Sequence, residues 1–93
     1  MNSDSLNSTS LFVLAKASFS VINAIQSSPP HVQVQALSSL FLLLCKVFKV
    51  DERRMLEQTE RIMKDSETLE WRPEFRAIEQ YIQEEIKKNG HGL

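Results

Sequence analysis

The chain has 93 residues, with 11 basic and 12 acidic side chains, a net charge of −1 and 42% apolar residues, which is the composition of one small soluble domain. A domain of this size buries little more than ~60% of the surface of its unfolded chain, so it leaves no room for a large catalytic cleft, and self-association would add to its stability. The one cysteine, Cys45, excludes an internal disulfide and a cysteine-based zinc site.

The single cysteine predicts a reducing compartment, and the charge pattern of the N-terminal stretch predicts a cytoplasmic protein. Residues 1–50 carry one acidic and three basic side chains, whereas residues 51–93 carry eleven acidic and eight basic ones. The N-terminal stretch has no basic residue before its apolar part, which argues against a secretory signal. The longest apolar run, residues 40–45, is far shorter than the ~20 residues that span a bilayer. We therefore expect no transmembrane helix.

Glycine and proline positions predict an all-α fold. Both glycines, Gly90 and Gly92, lie in the last four residues, so the interior lacks the turn residues that β-hairpins need. We predict a small bundle of about four helices in a single domain, residues 10–89, with a flexible N-terminus at residues 1–9 and a flexible tail at residues 90–93.

The first predicted helix covers residues 10–26. Its apolar side chains, from Leu11 to Ile25, fall within an arc of roughly 160° and leave a polar face opposite. The sequence Ser28-Pro29-Pro30 ends this helix, because proline disfavours the α conformation at the residue before it. Ser28 and the prolines then provide the signals for the start of the next helix.

The second predicted helix, residues 30–48, is apolar on two faces. Val32 and Val34 alternate with glutamines, which leaves a short extended start open. One apolar face spans about 120° around Leu37, and Leu42 and Leu43 lie outside it. A helix that is apolar nearly all round must be surrounded. We therefore predict a homodimer whose interface includes Leu42, Leu43 and Val47.

The third predicted helix opens at Asp51, whose carboxylate can cap the first turn while Val50 packs on Met55. It ends near Asp65 and carries acidic and basic side chains four residues apart, a spacing that favours ion pairs. Two such pairs are expected, Glu57 with Arg61 and Glu60 with Lys64.

A loop at residues 66–72, which contains Leu69 and Trp71, leads to the fourth predicted helix. This helix begins at Pro73, a first-turn proline, and places Phe75, Ile78, Ile82 and Ile86 on one face. It ends at residues 87–90, where lysines, Asn89 and Gly90 favour a helix C-terminus.

The sequence predicts no enzyme, cofactor or metal site. His31 and His91 have no metal-ligand partner at helical spacing. Cys45 lies in an apolar helix, where an inert buried thiol is expected rather than a nucleophile. The interior has no glycine, so a glycine-rich phosphate loop is excluded. Small chains of this kind are typical of bacterial or phage accessory proteins.

A protein-interaction module is the function that these patterns favour most. Trp71 lies in a polar loop near Arg72 and Arg76, and both residue types are enriched in interface hot spots. Together with the two-faced second helix, this predicts an adaptor or inhibitor that binds another macromolecule. Alternatively, Trp71 folds back with Leu69 as a lid on the core.

A small DNA-binding transcriptional regulator is the alternative function. Four basic side chains of the third helix fall within an arc of about 100°, where they could neutralise phosphates; they are Arg53, Arg54, Arg61 and Lys64. Glu57 lies inside the same arc, which favours a salt-bridged outer face instead. A membrane-surface role is not expected, because the polar faces lack the lysine and arginine enrichment that anionic lipid favours.

Overall fold

The computed structural model describes residues 10–87, and these residues form four α-helices. The helices are α1 (Leu11–Ile25), α2 (Pro30–Phe48), α3 (Glu52–Met63) and α4 (Pro73–Tyr81), and α4 continues into a π-helical segment, Ile82–Lys87. The predicted all-α fold with about four helices is confirmed. The predicted flexible segments, residues 1–9 and 90–93, and the predicted helix end at residues 88–90 lie outside the described residues.

Three helices begin where polar caps or proline predict a start. The Ser10 hydroxyl accepts a hydrogen bond from the Val13 N–H at 3.1 Å, and the Asp51 carboxylate accepts one from the Arg54 N–H at 2.8 Å. Each cap satisfies a first-turn N–H that has no partner within the helix. Pro73 occupies the first turn of α4, where its missing N–H costs nothing.

The start of α2 agrees with the predicted helix and differs in its cap. The chain is helical from Pro30 onward, so the alternative of an extended start is not observed, and Pro29 rather than Ser28 occupies the N-cap position. The buried Gln33 side chain donates from Nε2 to the Ser28 carbonyl at 2.6 Å and to the Gln26 carbonyl at 3.3 Å. These carbonyls follow the end of α1, so the Gln33 side chain connects the start of α2 to the end of α1 by hydrogen bonds.

The end of α2 is set by Lys49, which adopts a left-handed conformation with φ 57° and ψ 50°. Its N–H faces the carbonyls of Cys45 and Lys46, and the Val50 N–H donates to the Cys45 carbonyl at 2.8 Å. This is a helix-ending arrangement in which glycine is the usual residue. The chain then turns directly into the Asp51 cap of α3.

The buried core of the described residues is small. Its apolar members are Ala15, Cys45, Phe75 and Ile86. At the junction of α1 and α4, the ring centroids of Phe19 and Tyr81 lie 5.4 Å apart, and the Tyr81 hydroxyl donates to the Gln26 side chain at 2.7 Å. Fifteen large apolar side chains are exposed. A closed bundle would bury most of them, so the single chain forms an open bundle.

Candidate interaction surfaces

The surface of α2 is the most apolar feature of the described chain. Only Gln33 and Cys45 of this helix are buried. The predicted interface residues Leu42, Leu43 and Val47 are 54%, 57% and 70% exposed. The other exposed large apolar side chains of α2 are Val32, Val34, Leu37, Leu40, Leu44 and Phe48. Soluble monomers rarely leave a continuous apolar area of this kind open to water.

Leu42 and Leu43 lie on different sides of α2, because adjacent helical residues diverge by about 100°. Leu43 belongs to a line of apolar side chains within an arc of about 60°, which we call the Leu43 stripe and which consists of Ala36, Leu40, Leu43 and Val47. Leu42 has polar neighbours on its side of the helix, namely Gln35, Ser38, Ser39 and Lys46. The hydroxyls of Ser38 and Ser39 donate to the carbonyls of Val34 and Ala36 at 2.8 and 2.9 Å.

By length and composition alone, α2 could also cross a membrane. Its 19 residues have a mean hydropathy of 1.4 over an 18-residue window, and 11% of that window is buried. The expectation of no transmembrane helix was based on the run at residues 40–45, whereas Val32, Val34 and Leu37 extend the apolar character over the whole helix. The helix is only weakly apolar and is not a firm membrane span.

Three of the four predicted basic residues line one groove on α3. Arg53, Arg54 and Arg61 are exposed and surround this groove together with Asp51, Glu57 and Gln58. The acidic members reduce the positive potential that a phosphate would meet. The expected ion pair between Glu57 and Arg61 does not form, while the pair between Glu60 and Lys64 does, at 2.7 Å.

Lys64, the fourth basic residue, is directed to the connection between α3 and α4. Its Nζ atom lies 5.2 Å from the centre of the Trp71 ring, within the range of a cation–π interaction. The two residues also form an isolated antiparallel backbone bridge. Lys64 therefore joins the basic face of α3 to the aromatic loop, a link that the sequence analysis missed because the two residues share no helical register.

The loop at residues 65–72 is held by hydrogen bonds rather than by apolar packing. The Asp65 carboxylate accepts from the N–H groups of Glu67 and Thr68 at 2.8 and 3.1 Å, and these donors lower the pKa of Asp65. Arg72 donates from its backbone to the Met63 carbonyl and from Nε to the Ile62 carbonyl. The loop therefore has a defined shape.

Leu69 projects from this loop at 70% exposure. Its φ of 62° is in the left-handed region, which is costly for a residue with a side chain. Trp71 is half-buried. The hypothesis of a lid made by Leu69 and Trp71 together is therefore wrong for Leu69. Leu69 instead lies at the rim of a groove of about 520 Å³ whose other lining residues are Glu57, Glu60, Arg61, Lys64, Asp65 and Ser66.

Cys45 is buried near the turn into α3. Burial raises the pKa of its thiol, and the carboxylates of Glu52 and Asp51 raise this pKa further. A nucleophilic cysteine needs the opposite, an electropositive setting that lowers the pKa. Within residues 10–87, no group of three or more His, Cys, Asp and Glu side chains is placed to hold a metal ion.

Comparison with known protein families, with characterised proteins and with solved structures found no match to this chain.

Proposed function

We propose that this chain is a small non-enzymatic interaction module that forms a homodimer through α2 and acts as an adaptor or inhibitor of another macromolecule. The observation that carries the proposal is the exposure of nine large apolar side chains on one helix. Exposed apolar area of this extent favours association, because association removes it from water. Pairing with a second copy is the simplest association for a small soluble chain.

The surface offered to a further macromolecule is, in this proposal, the outer side of α3 with the loop that follows it. Leu69 and Trp71 supply apolar and aromatic groups there, and the flanking arginines and carboxylates supply specificity. A cytoplasmic location accompanies the proposal, because a chain with one thiol needs no oxidising compartment to fold.

Concentration-dependent unfolding tests the self-association. If folding is coupled to dimer formation, the midpoint of thermal unfolding rises with protein concentration. We expect the midpoint to rise by several degrees when the concentration is increased about 100-fold. A midpoint that stays constant over this range contradicts the proposal.

DNA binding is a second candidate function, supported by the exposure of Arg53, Arg54 and Arg61 around one groove. Retention on heparin at low salt, with a steep loss as salt increases, is the expected behaviour of a phosphate-binding surface. The double variant Arg54→Glu with Arg61→Glu must then elute early, while Lys16→Glu with Lys49→Glu, which changes the net charge by the same amount, serves as the control. Absence of retention at low salt rules this function out.

A further inference from the structure

The two sides of α2 differ in what they can pack against. The Leu43 stripe, defined above, has residues spaced four, three and four apart. This is the spacing of the apolar seam along which two helices pack in a coiled coil. Val32 and Leu44 flank the stripe and are also exposed, which widens the apolar surface to an arc of about 120°.

The side of α2 that carries Leu42 has no such seam. Leu42 is as exposed as Leu43, but Lys46 and Gln35 stand beside it and the two serines bond back to their own helix. Burying this side against an apolar surface would remove the Lys46 ammonium from water without supplying a partner for it. The leucine on this side is therefore an isolated exposed apolar residue, which is common on protein surfaces.

We infer that the partner of the Leu43 stripe is the same stripe of a second copy of this chain, packed helix against helix, and that the Leu42 side of α2 stays in solvent. This inference rests on the proposed self-association and assigns it to one face. The earlier prediction grouped Leu42 and Leu43 in a single interface, and the placement of their neighbours on the helix separates them.

The size of the surface fits a second copy. If the exposed parts of the stripe and of its flanking residues were all covered, roughly 500 Å² would be buried on each chain, or about 1,000 Å² for a symmetric pair, which is the least that a specific interface needs. A small residue, Ala36, lies at one end of the stripe and lets two helix backbones approach closely. In a dimer with two-fold symmetry, the stripe of one copy packs against the identical stripe of the other, so no second surface is needed.

A lipid bilayer is a less suitable partner for α2 than a second copy of the chain, because of the segments at both ends of this helix. The helix is followed within four residues by the charged start of α3, and its other end is tied to α1 by Gln33. The end of α1 is in turn bonded to Tyr81 of α4. Moving α2 into lipid would therefore bring the charged start of α3 to the membrane at one end of the helix, and break the hydrogen bonds to α1 and α4 at the other.

A matched pair of substitutions tests the assignment, because Leu42 and Leu43 are neighbours with nearly equal exposure. The dimer dissociation constant of the full chain is measured by sedimentation equilibrium for the wild type, Leu43→Glu and Leu42→Glu. We expect Leu43→Glu to raise the dissociation constant by about 100-fold or more, because each copy would bury an unpaired charge. Leu42→Glu is expected to change it by less than about threefold.

The outcomes separate this assignment from the proposed function. A wild type that is monomeric throughout overturns both, whereas a wild-type dimer that Leu43→Glu does not weaken, or that Leu42→Glu weakens as much, overturns the assignment alone. If Leu43→Glu does not fold by circular dichroism, the milder pair Leu43→Ala and Leu42→Ala replaces it, with about tenfold weakening expected only for Leu43→Ala. Flotation of a monomeric wild type with phosphatidylcholine–phosphatidylglycerol vesicles, lost in Leu43→Glu, would identify the stripe as a membrane face and overturn the dimer.

Discussion

Asp65 organises the loop between α3 and α4 through its carboxylate. It accepts hydrogen bonds from the N–H groups of Thr68 and Glu67. These bonds lower the pKa of Asp65, and the charge of Arg72 lowers this pKa further. A carboxyl group with a lower pKa in the folded state stabilises the fold above its unfolded pKa of about 4. This contribution is lost as the pH falls through the folded pKa.

Asp65→Ala is therefore expected to lower the unfolding midpoint by a few degrees at pH 7 relative to wild type, and this difference shrinks as the pH falls below the unfolded pKa of about 4. Thermal melts of both proteins at fixed concentration over this pH range measure it. A difference that stays constant with pH would show that the carboxylate charge is irrelevant to the loop.

Cys45 is expected to react slowly in the folded protein. Its thiol is buried and its pKa is raised, and both properties reduce the amount of accessible thiolate. Alkylation by iodoacetamide at pH 8 should be at least about tenfold slower in the native chain than in urea. Native alkylation as fast as that of the unfolded chain would contradict this environment, and faster alkylation would indicate an activated nucleophile.

At the scale of elements, Gln33 is the main polar connection between α1 and α2. Gln33→Ala would leave the carbonyls of Ser28 and Gln26 without this donor and is expected to lower stability by about 1–2 kcal/mol. For a domain of this size, the unfolding midpoint would fall by roughly 5–10 °C. The exposed Gln35, two residues on, provides the control, since Gln35→Ala should have little effect. Equal unfolding midpoints for Gln33→Ala and Gln35→Ala would contradict this role of Gln33.

At the end of α2, a substitution is expected to increase the stability of the protein. Lys49 has a φ of 57°, and glycine adopts this conformation without the steric cost of a side chain. Lys49→Gly is expected to stabilise the protein by about 0.5–1 kcal/mol, whereas Lys46→Gly, inside the helix, should destabilise it by about 1 kcal/mol. Chemical denaturation measures both. Destabilisation by Lys49→Gly would show that the lysine side chain itself ends the helix.

The sequence predicts the helices well where a local signal marks their start. Asp51 and Pro73 carry their signals in their own side chains, so α3 and α4 begin at the predicted positions. The roles of Gln33 and Lys49 were not predictable in the same way. In the sequence, Gln33 is only a polar residue between two valines, and its partners are the two carbonyls that the turn before α2 brings close to it. Lys49 is not a residue type that predicts a left-handed conformation.

The candidate surfaces were predicted in part. Periodicity identified α2 as too apolar for solvent, and the arginines of α3 as one basic face. The position of Lys64 over Trp71 depends on the path of the connecting loop, which Asp65 fixes through contacts that no helical spacing indicates. Leu42 and Leu43 were grouped because both lie outside the apolar face around Leu37, but their neighbours one turn away differ and determine what each side can bind.

At the scale of the whole molecule, an open bundle with few buried side chains has a small margin of stability by itself. Association through α2 would add a second apolar layer, and the charged outer side of α3 with its loop would remain available to another macromolecule. In the proposed dimer, the exposed apolar surface and the low burial of the isolated chain would have one cause, namely that α2 packs against a second copy.

The solution mass of the wild-type chain, measured by size-exclusion chromatography with light scattering over a range of concentrations, tests this central claim most directly. A dimer of about 21 kDa, twice the 10.7 kDa of one chain, is expected at concentrations of ~100 µM, with dissociation on dilution. A mass of one chain at every concentration would contradict the account.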